Sequence, residues 1–286
     1  MSRDQAYLAV DIGGTKLSCG IVSLSGQVLS HEMCSTPSIG VWDALAGLVG
    51  RVQAAANTHE LLACGVGSGG PMSDEGNKVS ALHIPSWRDF PLRSSLAELT
   101  GLKTFVDNDA KAVVLAETWC GAAVGCRNVI GMVVSTGVGG GIISDARLLD
   151  GHSGNAGHIG HICVVPNGRL CKCGARGCLE AVASGSAIAA MTGRPAAQAT
   201  PQIVEQTGTY VGRAVAGVAV LLDLRLAVIG GSVALGFGEP FYRAAQAEAD
   251  RHTTISFARG VEIRPTGLRA DAPLVGAAAV ARRHIS

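Results

Sequence analysis

LAVDIGGTKLSCGIVSLSG (Leu8–Gly26) is the stretch that decides the fold. An apolar run ends at Asp11, GGTK turns the chain, and a second apolar run returns along the first, the pattern of two paired strands. The same unit recurs as MVVSTGVGGGIISDAR (Met132–Arg147), again strand, glycine-rich turn and strand. Such an internal repeat predicts two homologous lobes. Two unrelated glycine-turn hairpins would give the same pattern, so both readings stand at the level of sequence.

Working outward, LSGQ turns the chain once more and VLSHEM forms a third strand. Apolar residues at helical spacing predict a helix from about Val41 to Thr58. LLACGVGSGGPM reads as a buried strand ending in a glycine-rich loop. FPLRSSLAELTG reads as a helix capped by Ser94 or Ser95 and closed by Gly101. KTFVDNDAKAVVLAETW is a strand that ends at DNDA and passes into a helix. Beyond the second hairpin, LEAVASGSAIAAMTG and TPQIVEQTGTYVGRAVAGVAVLLDL read as helices and RLAVIGGSV as a strand entering a Gly-Gly loop. APLVGAAAVARR is a terminal helix, with Pro273 near its start and cations near its end.

The chain has 286 residues, is 48% hydrophobic and 16% charged, and carries a net charge of +1. That balance excludes the basic excess of a nucleic-acid binder. No run approaches the roughly 18 uninterrupted apolar residues of a membrane span. MSRDQAYLAVDIGG lacks the apolar region and cleavage site of a signal peptide, so a cytoplasmic protein is expected. Its nine cysteines are then thiols rather than disulfides.

Three loops share one logic, in which a buried strand delivers a glycine turn to the edge of a sheet. They are Asp11–Lys16 with Gly13, Gly14 and Thr15, Ser135–Gly141 with Thr136, Gly137 and Gly139, and Gly230–Val233 with Gly231. Glycine lets backbone amides approach an anion. A carboxylate such as Asp11 belongs beside a phosphate through Mg²⁺, and Lys16 adds positive charge. The loops are neither the GxxxxGK[ST] of P-loop enzymes nor a GxGxxG dinucleotide fingerprint.

Asp107, Asn108 and Asp109 stand at the carboxyl end of a buried strand, where open α/β sheets bind ligands. Phosphoryl transfer to a sugar hydroxyl needs a carboxylate to take the proton and a polar neighbour to hold the sugar. Asp109 as base with Asn108 beside it fits. Asp and Asn at this place also cap helices, and Asp107 is the expected cap.

GHIGHICVVPNGRLCKCGARGCLEA (Gly157–Ala181) holds four cysteines and two histidines. His161, Cys171, Cys173 and Cys178 make a Cys₃His set, the donors of a tetrahedral Zn²⁺ site; free thiols in a core are the other reading. All four positions are filled by protein, so no activated water fits and the zinc is structural. Cys163 is left out of the set.

Three such glycine loops with a single Asp in the first resemble the phosphate grip of the actin-like ATPase superfamily. In this order, DIGGTK, DNDA, STGVGGG, GHIGH and CKCGARGCLEA resemble the motifs of the ROK family of sugar kinases and repressors over nearly the whole chain. The resemblance implies an α/β, two-lobed actin-like ATPase (ribonuclease H-like) fold with a zinc-braced loop in the second lobe. The small lobe would span residues 1–112 plus about 272–286, and the large lobe 113–271. It implies that ATP and sugar meet in the cleft, that Asp109 is the base, and that Asn108 and Glu180 bind the sugar. His161 would bind zinc through one ring nitrogen and sugar through the other.

Within the family the chain resembles most the kinases of N-acetylmannosamine, in which GHIGH puts His158 where many hexokinases carry a sugar-binding Glu. Glucose or another hexose is the alternative substrate. A place where family members often carry a sugar-contacting Asn holds His83 or Ile84, and Gly70 is a candidate for lining the acetamido side. The family's repressors carry a DNA-binding domain ahead of the first motif, whereas ten residues precede Asp11, so an enzyme is expected. The partners implied are sugar and Mg·ATP, with no nucleic acid or membrane, and a homodimer.

Overall fold

The computed structural model describes residues 3–82 and 84–285. The chain forms two compact units. The first runs to Cys120 and adds Asp150–Ala156 and everything from Ala270 on; the second comprises Gly121–Leu149 and Gly157–Arg269. The first junction therefore falls at the end of a helix, not at residue 112 inside it.

In the first unit, β1 (Asp4–Ile12), β2 (Lys16–Ser23), β3 (Val28–Ser35) and β4 (His59–Ser68) precede a small ribbon of β5 (Met72–Ser73) and β6 (Lys78–Val79). With β7 (Thr104–Asn108), the main sheet has the order β3-β2-β1-β4-β7. β1 pairs antiparallel with β2 and parallel with β4, and β4 pairs parallel with β7.

Side chains on β1 alternate between two cores. Ala6, Leu8, Val10 and Ile12 point into one with α1 (Val41–Ala55) and α2 (Leu92–Thr100). Tyr7 and Ala9 point into another with Leu274, Ala277, Ala278 and Ala281 of α9 (Ala272–Ile285). A sheet covered on both faces explains the unbroken apolar run that the sequence shows there. α9 lies very close to the sheet, because a Cβ on Gly65 would run into the Ala277 carbonyl.

The second unit repeats this plan. β8 (Val129–Val134), β9 (Val138–Ser144), β10 (Arg147–Leu148), β11 (Leu226–Gly230) and β12 (Glu262–Pro265) form a sheet of order β10-β9-β8-β11-β12. The pairing senses match strand for strand: two antiparallel, then two parallel. The repeat expected from the two hairpins is thus a repeat of whole sheets. Both hairpins turn through three residues, Gly13–Thr15 and Ser135–Gly137. Counted back from those turns, Asp11 of β1 corresponds to Val133 of β8, so only one copy carries the carboxylate.

Several local expectations need correction. The loop expected over Ser135–Gly141 is only Ser135–Gly137, and Gly139 belongs to β9 opposite Val133. Gly140 also lies in β9, and a Cβ there would meet Ile159 at 3.0 Å and the Gly157 carbonyl at 3.1 Å, so this glycine admits the neighbouring segment. Neither Ser94 nor Ser95 caps α2, which begins two residues earlier after Pro91. The Ser94 amide is instead met by Asn77 Oδ1 at 3.2 Å, from 17 residues away.

The helix expected over LEAVASGSAIAAMTG breaks at Ser184 into α4 (Glu180–Ala183) and α5 (Gly185–Thr192), because Ser184 turns extended and accepts the Ala187 amide as an N-cap. α6 (Pro201–Leu222) starts as expected, with Thr200 as N-cap and Pro201 in its first turn. α7 (Ser232–Phe237) and α8 (Glu239–His252) follow β11. No described helix is long and apolar enough to cross a membrane.

Candidate active site

The parallel register puts Asp11, Gly67 and Asp107 in one row across β1, β4 and β7. α3 (Asp109–Cys120) starts directly where β7 stops. Gly67 lies between two carboxylate-bearing segments: a Cβ there would stand 3.7 Å from Asp11 Oδ1 and 3.7 Å from the Asp109 Cα. Asp11 is half-buried at the strand end, and loss of hydration pushes its carboxyl up to about 7. The charge of Asp109 pushes the same way, and Lys16 opposes both.

The Gly13–Thr15 turn is closed by the Gly13 amide donating to the Lys16 carbonyl at 2.9 Å. Thr36 latches it from the end of β3, donating its hydroxyl to Gly13 O at 2.8 Å and its amide to Thr15 O at 3.1 Å. Gly14, Thr15 and Lys16 are exposed. Nothing in the sequence marked Thr36, because its contacts lie across a whole hairpin.

Asn108, not Asp107, caps α3. Its Oδ1 accepts the Ala110 amide at 3.0 Å and the Lys111 amide at 3.4 Å. Asp109 Oδ1 accepts the Ala110 amide at 2.8 Å, which fixes the direction of that carboxylate. Asp107 faces Lys111 instead, at 2.9 Å. Gly70 has room to spare: a Cβ there would lie 3.4 Å from the Met72 amide nitrogen and 3.9 Å from Asn108 Nδ2, all ordinary contacts. Ile84 is buried in the first core, and His83 lies outside the described residues.

The raised Asp11 carboxyl gives a stability prediction. Its folded value lies above the ordinary 3.8, so the folded state holds a proton that the unfolded chain gives up. The free protein is therefore expected to lose stability as pH rises from about 4 through about 7, at no more than ~1.4 kcal/mol per pH unit. Asp11→Asn should flatten that slope in thermal melts. An unchanged slope would mean that Asp11 ionises as freely as in the unfolded chain.

In the second unit, the Ser135–Gly137 turn and the β11 end are tied together. Ser135 Oγ lies 2.9 Å from Ser232 Oγ, and the Gly185 amide donates to Ser135 O at 2.7 Å. Gly230 ends β11 and Gly231 precedes α7, so both predicted glycines sit beside this turn, with Thr136 exposed at its tip. Glu180 opens α4 and accepts the Val138 amide through Oε2 at 2.9 Å, joining the Cys/His-bearing loop to the start of β9.

His161, Cys171, Cys173 and Cys178 do converge, with one donor atom from each lying within 4.8 Å of all the others. Cys173 Sγ is 3.7 Å from Cys178 Sγ, and Cys171 Sγ is 3.8 Å from His161 Nδ1. A tetrahedron of thiolates about 2.3 Å from zinc has edges of about 3.8 Å, so the cage fits that ion. Burial and the neighbouring thiols push Cys178 up to about 12, whereas the Ala175 backbone leads in drawing Cys173 down.

The His161 ring turns Nδ1 to the cage and so Nε2 away from it. His158 stacks near it, ring centres 6.2 Å apart. Cys163 is exposed and outside the cage. Gly177 holds the loop: at φ +74° its amide donates to Arg169 O and its carbonyl receives the Val164 amide, and a Cβ would run into the Val165 carbonyl. The loop is also braced from behind, where Arg213 bonds the buried Glu248 and donates to the Val164 carbonyl at 2.9 Å.

Comparison with known proteins covers nearly the whole chain. A family model described as the ROK family matches residues 7–284. An N-acetylmannosamine kinase of Yersinia pseudotuberculosis is 36% identical, with 97% of this chain and 99% of that protein aligned. A glucokinase of Thermotoga maritima is 31% identical over 97% of this chain and 98% of its own length. The crystal structure of a ROK family glucokinase from Streptomyces griseus in complex with glucose and AMPPNP has a TM-score of 0.84 at 30% identity, covering 97% of this chain and 99% of that one. The mixed α/β architecture is that of these kinases, the actin-like ATPase fold.

Proposed function

This chain belongs to the ROK family, and we propose that it is an ATP-dependent kinase that phosphorylates the 6-hydroxyl of N-acetylmannosamine. The observation that carries the kinase reading is the placement of Asp109 and Asp11 on either side of Gly67. One carboxylate takes a proton while the other stands beside a glycine turn open to phosphates. In this reading Asp109 accepts the 6-hydroxyl proton as the sugar oxygen bonds to the γ-phosphorus of Mg·ATP and ADP leaves with the cleaved bond pair. Asp11 would hold the Mg²⁺ of the nucleotide, which would neutralise phosphate charge there, and Lys16 with the Gly13–Thr15 amides would receive phosphate oxygens. Thr136, Gly137, Gly139, Gly230 and Gly231 are the nucleotide residues of the second unit.

Asn108 meets a sugar hydroxyl while its Oδ1 caps α3. Glu180 and the Nε2 side of His161 are assigned to sugar hydroxyls, and His158 to the group that separates this sugar from a hexose. His161, Cys171, Cys173 and Cys178 would hold Zn²⁺, whose part is to fix the loop that carries His161 and Glu180. ATP supply places the reaction in the cytoplasm. Glucose phosphorylation is the second reading, favoured by the glucokinase of Thermotoga maritima among the relatives.

The test is coupled turnover with Mg·ATP on N-acetylmannosamine, glucose, mannose and N-acetylglucosamine in parallel. N-acetylmannosamine is expected to lead in kcat/KM by tenfold or more, about 1.4 kcal/mol of discrimination. A lead for glucose makes the protein a ROK hexokinase, and no turnover on any sugar removes the kinase reading. Gly70→Ala refines the result. Its methyl fits without a clash yet fills space beside Asn108, so it should depress N-acetylmannosamine turnover several-fold more than glucose turnover. Equal losses would remove Gly70 from the acetamido side.

A further inference from the structure

Lys111 has no place in the reaction just described, yet it is among the most buried large side chains of the chain, with 2% of its side chain exposed. It sits in the first turn of α3, followed by the small and apolar Ala112, Val113 and Val114. A buried ammonium is costly unless each of its three N–H groups finds an acceptor. Here three acceptors stand around it: Asp107 Oδ1 at 2.9 Å, Asp150 Oδ1 at 3.0 Å and the Gly154 carbonyl at 3.1 Å. Arg283 of α9 completes the group, donating to both oxygens of Asp150 and lying 3.8 Å from Asp107 Oδ2. Two cations and two carboxylates balance.

The acceptors come from two places that bear on the sugar side. Asp107 also accepts the Asn108 amide at 2.8 Å through the same Oδ1 that faces Lys111. Lys111 therefore fixes the residue that orients the backbone of Asn108, one step before Asp109. Asp150 and Gly154 belong to Asp150–Ala156, the short segment that returns to the first unit between two stretches of the second. From that segment Asn155 Nδ2 donates to Met72 O at 3.3 Å, holding the loop that carries Gly70. One ammonium thus ties together the Asn108–Asp109 turn, the returning segment and, through Asn155, the Gly70 loop. The same grip draws the Asp150 carboxyl down to about 2, led by the hydrogen bond from Arg283.

We propose that Lys111 is a positioning residue for phosphoryl transfer, holding the Asn108–Asp109 turn through Asp107 and the acceptor-side loop through Asp150 and Gly154. The proposal rests on the reading of Asp109 as base.

The test measures kcat, sugar KM, Mg·ATP KM and the melting temperature for Lys111→Met, Asp150→Asn, the double variant and Asp109→Asn, per folded protein. Lys111→Met is expected to lower kcat at least tenfold and raise sugar KM several-fold, with Mg·ATP KM within about twofold of the wild type. Asp150→Asn should show a smaller loss in the same direction. The double variant should lose no more than Lys111→Met alone, because both act through one network. If Lys111→Met lowers only the melting temperature while kcat and both KM values hold, Lys111 is a strut and the proposal fails. If Lys111→Met does not fold, Asp150→Asn carries the test, since Asp150 is partly exposed, and wild-type kinetics there overturn the proposal. An active Asp109→Asn would instead sink the base assignment, so the two failures are told apart.

Discussion

Asp109→Asn is expected to lower kcat by about 10²–10⁴-fold while the sugar still binds. Asparagine keeps the shape of the side chain and an Oδ1 that can accept the Ala110 amide, so the first turn of α3 should survive. What it loses is the capacity to take a proton from a hydroxyl. It also removes a negative charge beside Asp11, one of the causes that push that carboxyl upward. The nucleotide side should therefore be unharmed or slightly favoured. Steady-state kinetics together with calorimetric sugar binding separate the two effects. Turnover within tenfold of the wild type would take Asp109 out of the mechanism.

If the Cys/His cage holds zinc as proposed, losing it should lower stability first. Cys173 is the exposed member of the cage, so Cys173→Ser costs almost no core packing and reports on the ion. Structural zinc binds zinc-finger peptides with about 10–16 kcal/mol at pH 7, as large as the whole stability of a typical domain. Even a third of that, lost from a chain of this size, lowers Tm by on the order of 10 °C. Sugar KM should rise with it, because Glu180 and His161 both hang on the loop. Elemental analysis decides the matter. The wild-type protein should carry about one zinc per chain and Cys173→Ser much less. A wild-type protein without zinc would return the four residues to the reading of free thiols.

Much of this was legible in the sequence because strands buried on both faces cannot hide. The runs at Leu8, Leu61, Val129 and Leu226 are apolar enough to declare themselves, and each leads into a turn that contains glycine. The metal cage was legible because four donors in so short a span leave few alternatives. The fine structure of the helix starts was not. Whether Asp107, Asn108 or Asp109 caps α3 depends on which way a side chain points, and all three residue types are good caps. The cap of α2 comes from Asn77, which no local pattern can reveal.

α8 carries only a weak signal: Phe241, Ala245 and Ala249 mark one face at helical spacing, but two of the three are alanines among charged neighbours. The Lys111 network was out of reach for another reason. Asp107 is only four residues from Lys111, but Asp150 lies 39 residues from Lys111 and 133 from Arg283, so only the folded chain brings these together.

The threading of α9 into the first sheet has a consequence for how the protein is made. During synthesis that sheet leaves the ribosome before the second one, yet one of its two cores lacks Leu274, Ala277, Ala278 and Ala281 until α9 is translated. At about 5–20 residues per second, Tyr7, Ala9 and Ala63 wait on the order of ten seconds or more for their cover. The second sheet, whose core draws on Ile130 to Ile263, can close sooner. The nascent chain can therefore complete the core of its younger half before that of its older one.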